Sequence, residues 1–298
     1  MSDGVDRQSE TRVVQLRHQG EAAAATLPAL MAEATRIAAT VAQGVHGRRR
    51  AGVGESFWQY RHHRPEDGRA AVDWRQSARS DQLFVRQNEW EAANTVWLWR
   101  DGSASMRFSS SRDHASKLDR AAVCQIAMAA LLTQGGERVA VLGESAIART
   151  GALGLERTSR RLALGPGDMT AVEAPNIGRF GRVVLASDFL DPPETWAARL
   201  SRFSAMEAEG VLLRIVDPAE EDFPYTGRTR FENPAGGEGL LFGRAEEARS
   251  TYRQRWAEHG EALAALARQF GWSLVTHRTD RTATSAVLAL YRALARDA

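Results

Sequence analysis

The sequence predicts an α/β fold, a doubly wound and mainly parallel sheet, preceded by a helical N-terminal arm and a small β-rich segment. Three observations predict it. From residue 95 onward, short apolar runs rich in Val, Leu and Ile alternate with longer stretches of helical periodicity, as in a parallel sheet covered on both faces. Four of those runs lead into an aspartate, which gathers carboxylates at the edge where such sheets bind ligands. The composition, 43% hydrophobic and 26% charged over 298 residues, is that of a globular chain with one large domain or two small ones.

Residues 1–44 form the arm. Val14, Leu16, Leu27, Leu30, Met31, Ala34, Ile37 and Val41 approximate a helical stripe, broken early by Pro28. The basic run His46 to Arg50 and the turn-prone Gly52-Val53-Gly54 end it. Residues 45–94 form the β-rich segment, with Phe57 to Arg61 and Leu83 to Gln87 as its most strand-like pieces and a turn at Pro65-Glu66-Asp67-Gly68. The α/β domain, residues 95–298, opens with a strand at Thr95 to Arg100 and a helix at Ser116 to Thr133. Further strands follow at Arg138 to Leu142, Arg182 to Ala186, Val211 to Val216 and Trp272 to Thr276. Helices are expected over Glu194 to Glu207, Glu246 to Phe270 and Ala283 to Ala295.

Composition narrows the function classes. Net charge is +2, and residues 48–89 hold nine arginines against six acids, too slight an excess to mark a nucleic-acid interface. The lone cysteine, Cys124, falls in an apolar helical run, and no secretory signal or spanning segment is visible, so the expected compartment is cytoplasmic. Lys117 is the only lysine and follows no glycine loop, which excludes a phosphate-cradling P-loop. Gly52-Val53-Gly54 lacks the strand and helix of a dinucleotide fingerprint, and His62-His63 have no zinc-ligand spacing.

The strand-end aspartates are Asp101, Asp188, Asp217 and Asp280. Unpaired and close together they would repel, so either some cap helices or a cation holds them. Asp217, before Pro218, and Asp280, before the last helix, suit capping or surface roles. Asp101-Gly102-Ser103-Ala104-Ser105 instead sets one carboxylate and two hydroxyls on alternate residues, hard oxygen donors that suit Mg²⁺, with Mn²⁺ as substitute.

That run resembles the D-x-S-x-S metal-ion-dependent adhesion site (MIDAS) of von Willebrand factor A domains. The flanking motifs resemble the DUF58 family: Gly52-x-Gly54-x-x-Phe57, Arg61, Pro65-x-Asp67, Val72-Asp73-Trp74-Arg75-x-Ser77-Ala78-Arg79, Leu83-x-Val85-Arg86-Gln87, Val216-Asp217-Pro218-x-Glu220 and His277-Arg278-Thr279-Asp280. The resemblance implies a von Willebrand A-like domain after a β-rich segment, association with a MoxR-type AAA+ ATPase, and a metal shell completed by a partner's carboxylate. Asp101, Ser103 and Ser105 would be first-loop ligands and Asp188 the third-loop ligand. For the second-loop threonine the candidates are Thr150, Thr158 and Thr170, none in a Gly-x-Thr turn before a full helix; Thr170, after Gly165-Pro166-Gly167-Asp168, is taken.

The expected function is therefore that of a non-enzymatic binding or adaptor module, its client bearing an exposed carboxylate, with Arg75, Arg79 and Arg86 contacting a partner protein. Two alternatives are nucleic-acid binding through the Arg- and Trp-rich segment and, further off, a serine hydrolase. The latter would draw Ser103 or Ser105, Asp188 or Asp217, and His277 into a triad, but the window lacks the G-x-S-x-G elbow.

Overall fold

A computed structural model describes residues 11–15, 17–18, 50–52, 56–62, 72–78, 82–90, 95–143, 148–165, 167–173, 175–178, 181–234, 236 and 239–296. Residues 11–15 and 17–18 are helical; the rest of the predicted arm, the basic run at 46–49, the turn at 65–68 and Arg79 lie outside the described residues. The chain divides into two compact units, one of residues 37–93 and one of residues 94–297 with 1–36.

The smaller unit is an antiparallel sheet of β1 (Arg50–Gly52), β2 (Ser56–His62) and β3 (Phe84–Trp90), in the order β1-β3-β2. Its Val-Asp-Trp-Arg-x-Ser run is a capped single turn. Asp73 accepts the Arg75 N–H on Oδ1 (3.1 Å) and starts α1 (Trp74–Ser77), whose Ser77 hydroxyl accepts the Phe84 N–H (2.8 Å) and donates to the Asp73 carbonyl (2.8 Å). Asp73 N–H in turn donates to Phe84 O. The most distinctive motif of the segment thus fastens a helical turn to the start of β3.

In the larger unit the expected alternation is present. It comprises β4 (Thr95–Arg100), α2 (Lys117–Gln134), β5 (Arg138–Val141), α3 (Gly151–Leu164), α4 (Thr170–Glu173), β6 (Arg182–Ser187), α5 (Pro193–Ala205), β7 (Glu209–Val216) and α6 (Pro218–Asp222). A hairpin, β8 (Thr229–Phe231) and β9 (Leu240–Phe242), then precedes α7 (Arg249–Gln269), β10 (Ser273–Arg278) and α8 (Ala283–Arg296). The five main strands are all parallel, in the order β5-β4-β6-β7-β10. Chain order reverses between β4 and β6, so the switch point of this doubly wound sheet, where such folds open a crevice, lies between Arg100 and Ser187.

Both faces are covered. Val96, Leu98, Val184, Leu213 and Ile215 pack beneath α2, α3 and α8, while the alternate positions Trp99, Val183, Leu185 and Leu212 pack against α4, α5 and α7. Helix α2 is buried from Ala121 to Thr133, as a central helix must be. Its Gln125 amide donates to Trp99 O (2.7 Å) and Val184 O (3.1 Å), tying it to the strands on either side of the switch point.

Two elements depart from expectation. A full helix, α3, follows Thr150, because its buried stripe is Gly154, Thr158, Ser159, Leu162 and Ala163; small and polar residues face the core and blur the apolar period. The bridge Val139↔Arg149 is antiparallel, so Thr150 runs back toward the amino edge of the sheet. The hairpin β8–β9 also went unforeseen, since its strands have only three residues each.

Candidate functional site

All four strand-end aspartates stand at the carboxyl edge, and each meets a different answer to its charge. Asp217 is the N-cap of α6 in a capping box: its Oδ1 accepts from Ala219 N (2.9 Å), and Glu220 Oε2 accepts the Asp217 N–H (2.9 Å). Its Oδ2 accepts from Ser110 N (2.9 Å), stapling the loop after β4. Asp280 is exposed and paired with Arg278, which also holds Glu221 and Asp222; the Arg278 guanidinium draws the Asp280 carboxyl below its ordinary value. Capping and surface roles therefore hold for these two.

Asp188 meets a buried lysine. Lys117 Nζ lies 2.9 Å from Asp188 Oδ2 and 2.5 Å from Glu220 Oε1, with the lysine side chain 0% exposed. Burial raises the Glu220 pKa, and the Lys117 ammonium opposes the rise. One cation thereby ties the first turn of α2 to the end of β6 and to α6.

Asp101, like Asp217, makes no ion pair within the described residues, but unlike Asp217 it is not the N-cap of a helix. It is 4% exposed, accepts the Ser187 hydroxyl on Oδ2 (2.6 Å) and the Ser103 N–H on Oδ1 (2.7 Å), and its own N–H donates to Ala186 O (2.8 Å). Burial raises its pKa, the hydrogen bonds from Ser187 and Ser103 counter this, and the nearby Asp188 charge adds to the rise. Ser103 and Ser105 follow on a 3-10 turn with their hydroxyl oxygens 3.1 Å apart.

The Asp101 loop is set by backbone contact. Gly102 N–H donates to Gly167 O (3.3 Å), and Gly167 has φ +63°; a Cβ there would stand 2.3 Å from Arg100 O and 2.4 Å from Gly102 N. Beyond β6 the chain turns at Phe189, whose φ of +52° is held by burial of its ring against Trp196, centroids 4.6 Å apart.

Asp101, Ser103, Ser105, Asp188 and Glu220 open on one hollow of about 1780 Å³, which is also lined by the aromatic residues Phe223, Tyr225, Phe231, Phe242 and Tyr252. Thr170 does not line it. Its hydroxyl donates to Asp168 Oδ2 (2.6 Å), and it borders a separate hollow with Trp99, Arg100 and Gly167. Among the described residues no three His, Cys, Asp or Glu converge as metal ligands, so a cation at this rim would depend on serine hydroxyls beside Asp101. One carboxylate with no cation partner and two adjacent hydroxyls fit a hard ion that keeps several waters, as Mg²⁺ does.

The proposed hydrolase triad is not assembled. His277 is buried with no hydrogen-bond partner for its Nε2 among the described residues, and Ser103 and Ser105 bond each other. Arg75 is exposed on α1, while Arg86 stands opposite Tyr60 in the sheet. Two contributors to the rim, Lys117 and Glu220, carried no role in the sequence reading beyond a missing P-loop and a family motif. The available signal was a lone lysine at a helix start, where a positive charge opposes the helix dipole.

Fold and rim together define a doubly wound α/β domain with an Asp-Gly-Ser-Ala-Ser loop at its switch point. The chain belongs to the DUF58 family: the model described as "Protein of unknown function DUF58" matches residues 59–262. Uncharacterized proteins of Mycobacterium tuberculosis and Mycobacterium bovis are each 28% identical over 247 residues, 77% of this chain and 76% of theirs. Among solved structures, an aerotolerance-related membrane protein from Bacteroides fragilis aligns with TM-score 0.39 and 16% identity, over 68% of this chain and 99% of its own. The conserved hypothetical protein BatB from Bacteroides thetaiotaomicron aligns with TM-score 0.35 and 14% identity, over 69% and 100%. No helix among the described residues is long and apolar enough to cross a membrane.

Proposed function

We propose that this protein is a non-enzymatic binding module that docks a partner at the carboxyl-edge hollow, using Mg²⁺ held by Asp101, Ser103 and Ser105. The observation that carries this reading is the state of Asp101. It is the one strand-end carboxylate with neither an ion pair among the described residues nor a helix to cap, it is buried, and it stands beside two convergent hydroxyls. A bound Mg²⁺ would supply an open coordination position for a partner's Asp or Glu; the protein's own part is to fix the donors and present the aromatic wall beside them. The partner class is a MoxR-type AAA+ ATPase, taken from the family resemblance alone.

Calorimetric titration with Mg²⁺ and Mn²⁺ tests the site. Saturable binding is expected for the wild type and is expected to vanish in Asp101→Asn and weaken in Ser105→Ala, with thermal unfolding as a check that both variants fold. Absence of binding in the wild type, or equal binding by Asp101→Asn, refutes the metal. Docking is tested separately by adding the protein to a MoxR-type ATPase with ATP and Mg²⁺: co-elution or altered ATP turnover is expected, and neither occurring sinks the partnership.

A further inference from the structure

The same rim holds a cation that belongs to the chain. Lys117 is the only lysine, and the other basic residues of the 39 Lys and Arg are all arginine. It occupies the first helical position of α2, where the helix dipole disfavours a positive charge, and it is removed from water altogether. Such a placement is costly unless anions hold it there. Two do: Asp188 Oδ2 and Glu220 Oε1 converge on Nζ at 2.9 and 2.5 Å, and the Phe108 ring closes over it at 6.0 Å. An ammonium is a compact point charge that fits where a planar guanidinium would not. The oxygens that surround it need only a small inward shift to reach the roughly 2.0–2.6 Å at which Mg²⁺ or Ca²⁺ is bound.

We propose that Lys117 is a tethered cation: its ammonium does for Asp188 and Glu220 what a divalent ion would do, and by holding Asp188 it confines metal binding to the Asp101, Ser103 and Ser105 side of the rim. Only the confinement rests on the metal-dependent reading above. The tethered-cation role stands on the Lys117 geometry alone. The third strand's carboxylate is therefore spent on the chain's own charge, and the metal preference of the rim is set by a residue that does not touch the metal.

The test is chemical rescue, read as thermal unfolding of the full chain in EDTA and then in millimolar Mg²⁺, Mn²⁺ or Ca²⁺, at matched ionic strength. Lys117→Ala removes the charge and opens space; Lys117→Met removes the charge and keeps the stem. Both are expected to lose about 10 °C in Tm in EDTA, because the buried Asp188 and the half-buried Glu220 lose the ammonium that bonds them both and keep only the more distant pull of Arg214. A divalent ion is expected to restore most of that loss in Lys117→Ala only, and calorimetry is expected to find a new saturable site there that persists when Asp101→Asn is added. The triple variant Lys117→Met, Asp188→Asn, Glu220→Gln is expected to melt within a few degrees of wild type and to ignore metal. Failure of rescue, including a Lys117→Ala that stays unfolded in metal, overturns the proposal. So does a Lys117→Ala as stable as wild type in EDTA, or a triple variant as unstable as Lys117→Ala. Failure of the wild type to bind Mg²⁺ would refute the function proposed above without touching the rescue.

Discussion

Replacing Gly167 by alanine asks whether the Asp101 loop is held by backbone contact or by the side chains within it. At φ +63°, an alanine costs about 1–2 kcal/mol in backbone strain. Its Cβ would also meet Arg100 O at 2.3 Å, Gly102 N at 2.4 Å and Asp101 C at 2.9 Å. These are main-chain atoms that no rotamer change can move, so the two loops must separate and the Gly102 N–H to Gly167 O bond, worth about 1 kcal/mol, goes with them. The expected loss is about 3 kcal/mol, near 9 °C in Tm for a domain of this size. Gly136 supplies the control: its φ is +82°, but a Cβ there meets nothing within 4 Å, so Gly136→Ala should show only the strain. Urea unfolding followed by tryptophan fluorescence suits the comparison, because the Trp99 indole donates to Asp168 O (3.0 Å) beside the altered residue. The contact argument is refuted if Gly167→Ala falls within about 0.5 kcal/mol of Gly136→Ala, a spread usual for substitutions that disturb nothing.

Two further predictions concern buried groups outside the proposed metal site. His277 has its pKa lowered to about 4 by burial and by Arg120, against a partial opposing pull from Asp280. With an unfolded value near 6.5, the unfolded chain binds more protons between about pH 6.5 and pH 4, so stability is full above that window and falls as pH drops through it, by up to about 3 kcal/mol. Urea midpoints at pH 8 and pH 5 should therefore differ less in His277→Leu than in wild type, and an unchanged difference refutes the assignment. Burial pushes the Cys124 thiol up to about 12 and removes it from solvent, so a maleimide should label it only as the protein unfolds. Rapid labelling of the native protein would contradict the buried helix face.

The sheet was legible because its strands are buried on both faces and read as apolar runs, Val183 to Ala186 unbroken and Val211 to Val216 interrupted only by Arg214. Helix α3 was hidden for the opposite reason, since a stripe made of Gly154, Thr158 and Ser159 has almost no hydrophobic contrast. Motif and role also parted in the small unit. The Asp-Trp-Arg-x-Ser run gives the most specific family signal, and its Asp73 and Ser77 serve to cap a turn and fasten it to β3.

At the rim, the carboxylates were readable because each follows its strand by one or two residues, and so were the local partners of Asp217 and Asp280, while those of Asp101 and Asp188 were not, because they arrive from distant elements. Lys117 reaches Asp188 and Glu220 across sequence separations of 71 and 103 residues, and Ser187 reaches Asp101 across 86. Local pattern can count strand-end charges but cannot tell which of them a folded chain neutralises for itself. That difference has a functional consequence. A set of four bare aspartates would call for a metal shared among them, whereas one answered by a helix cap, one by an arginine and one by a lysine leaves a single carboxylate with two hydroxyls. On the function proposed above, such a reduced set would bind a hard cation with fewer charges and more water, which would leave more of the coordination shell for a partner's carboxylate to enter.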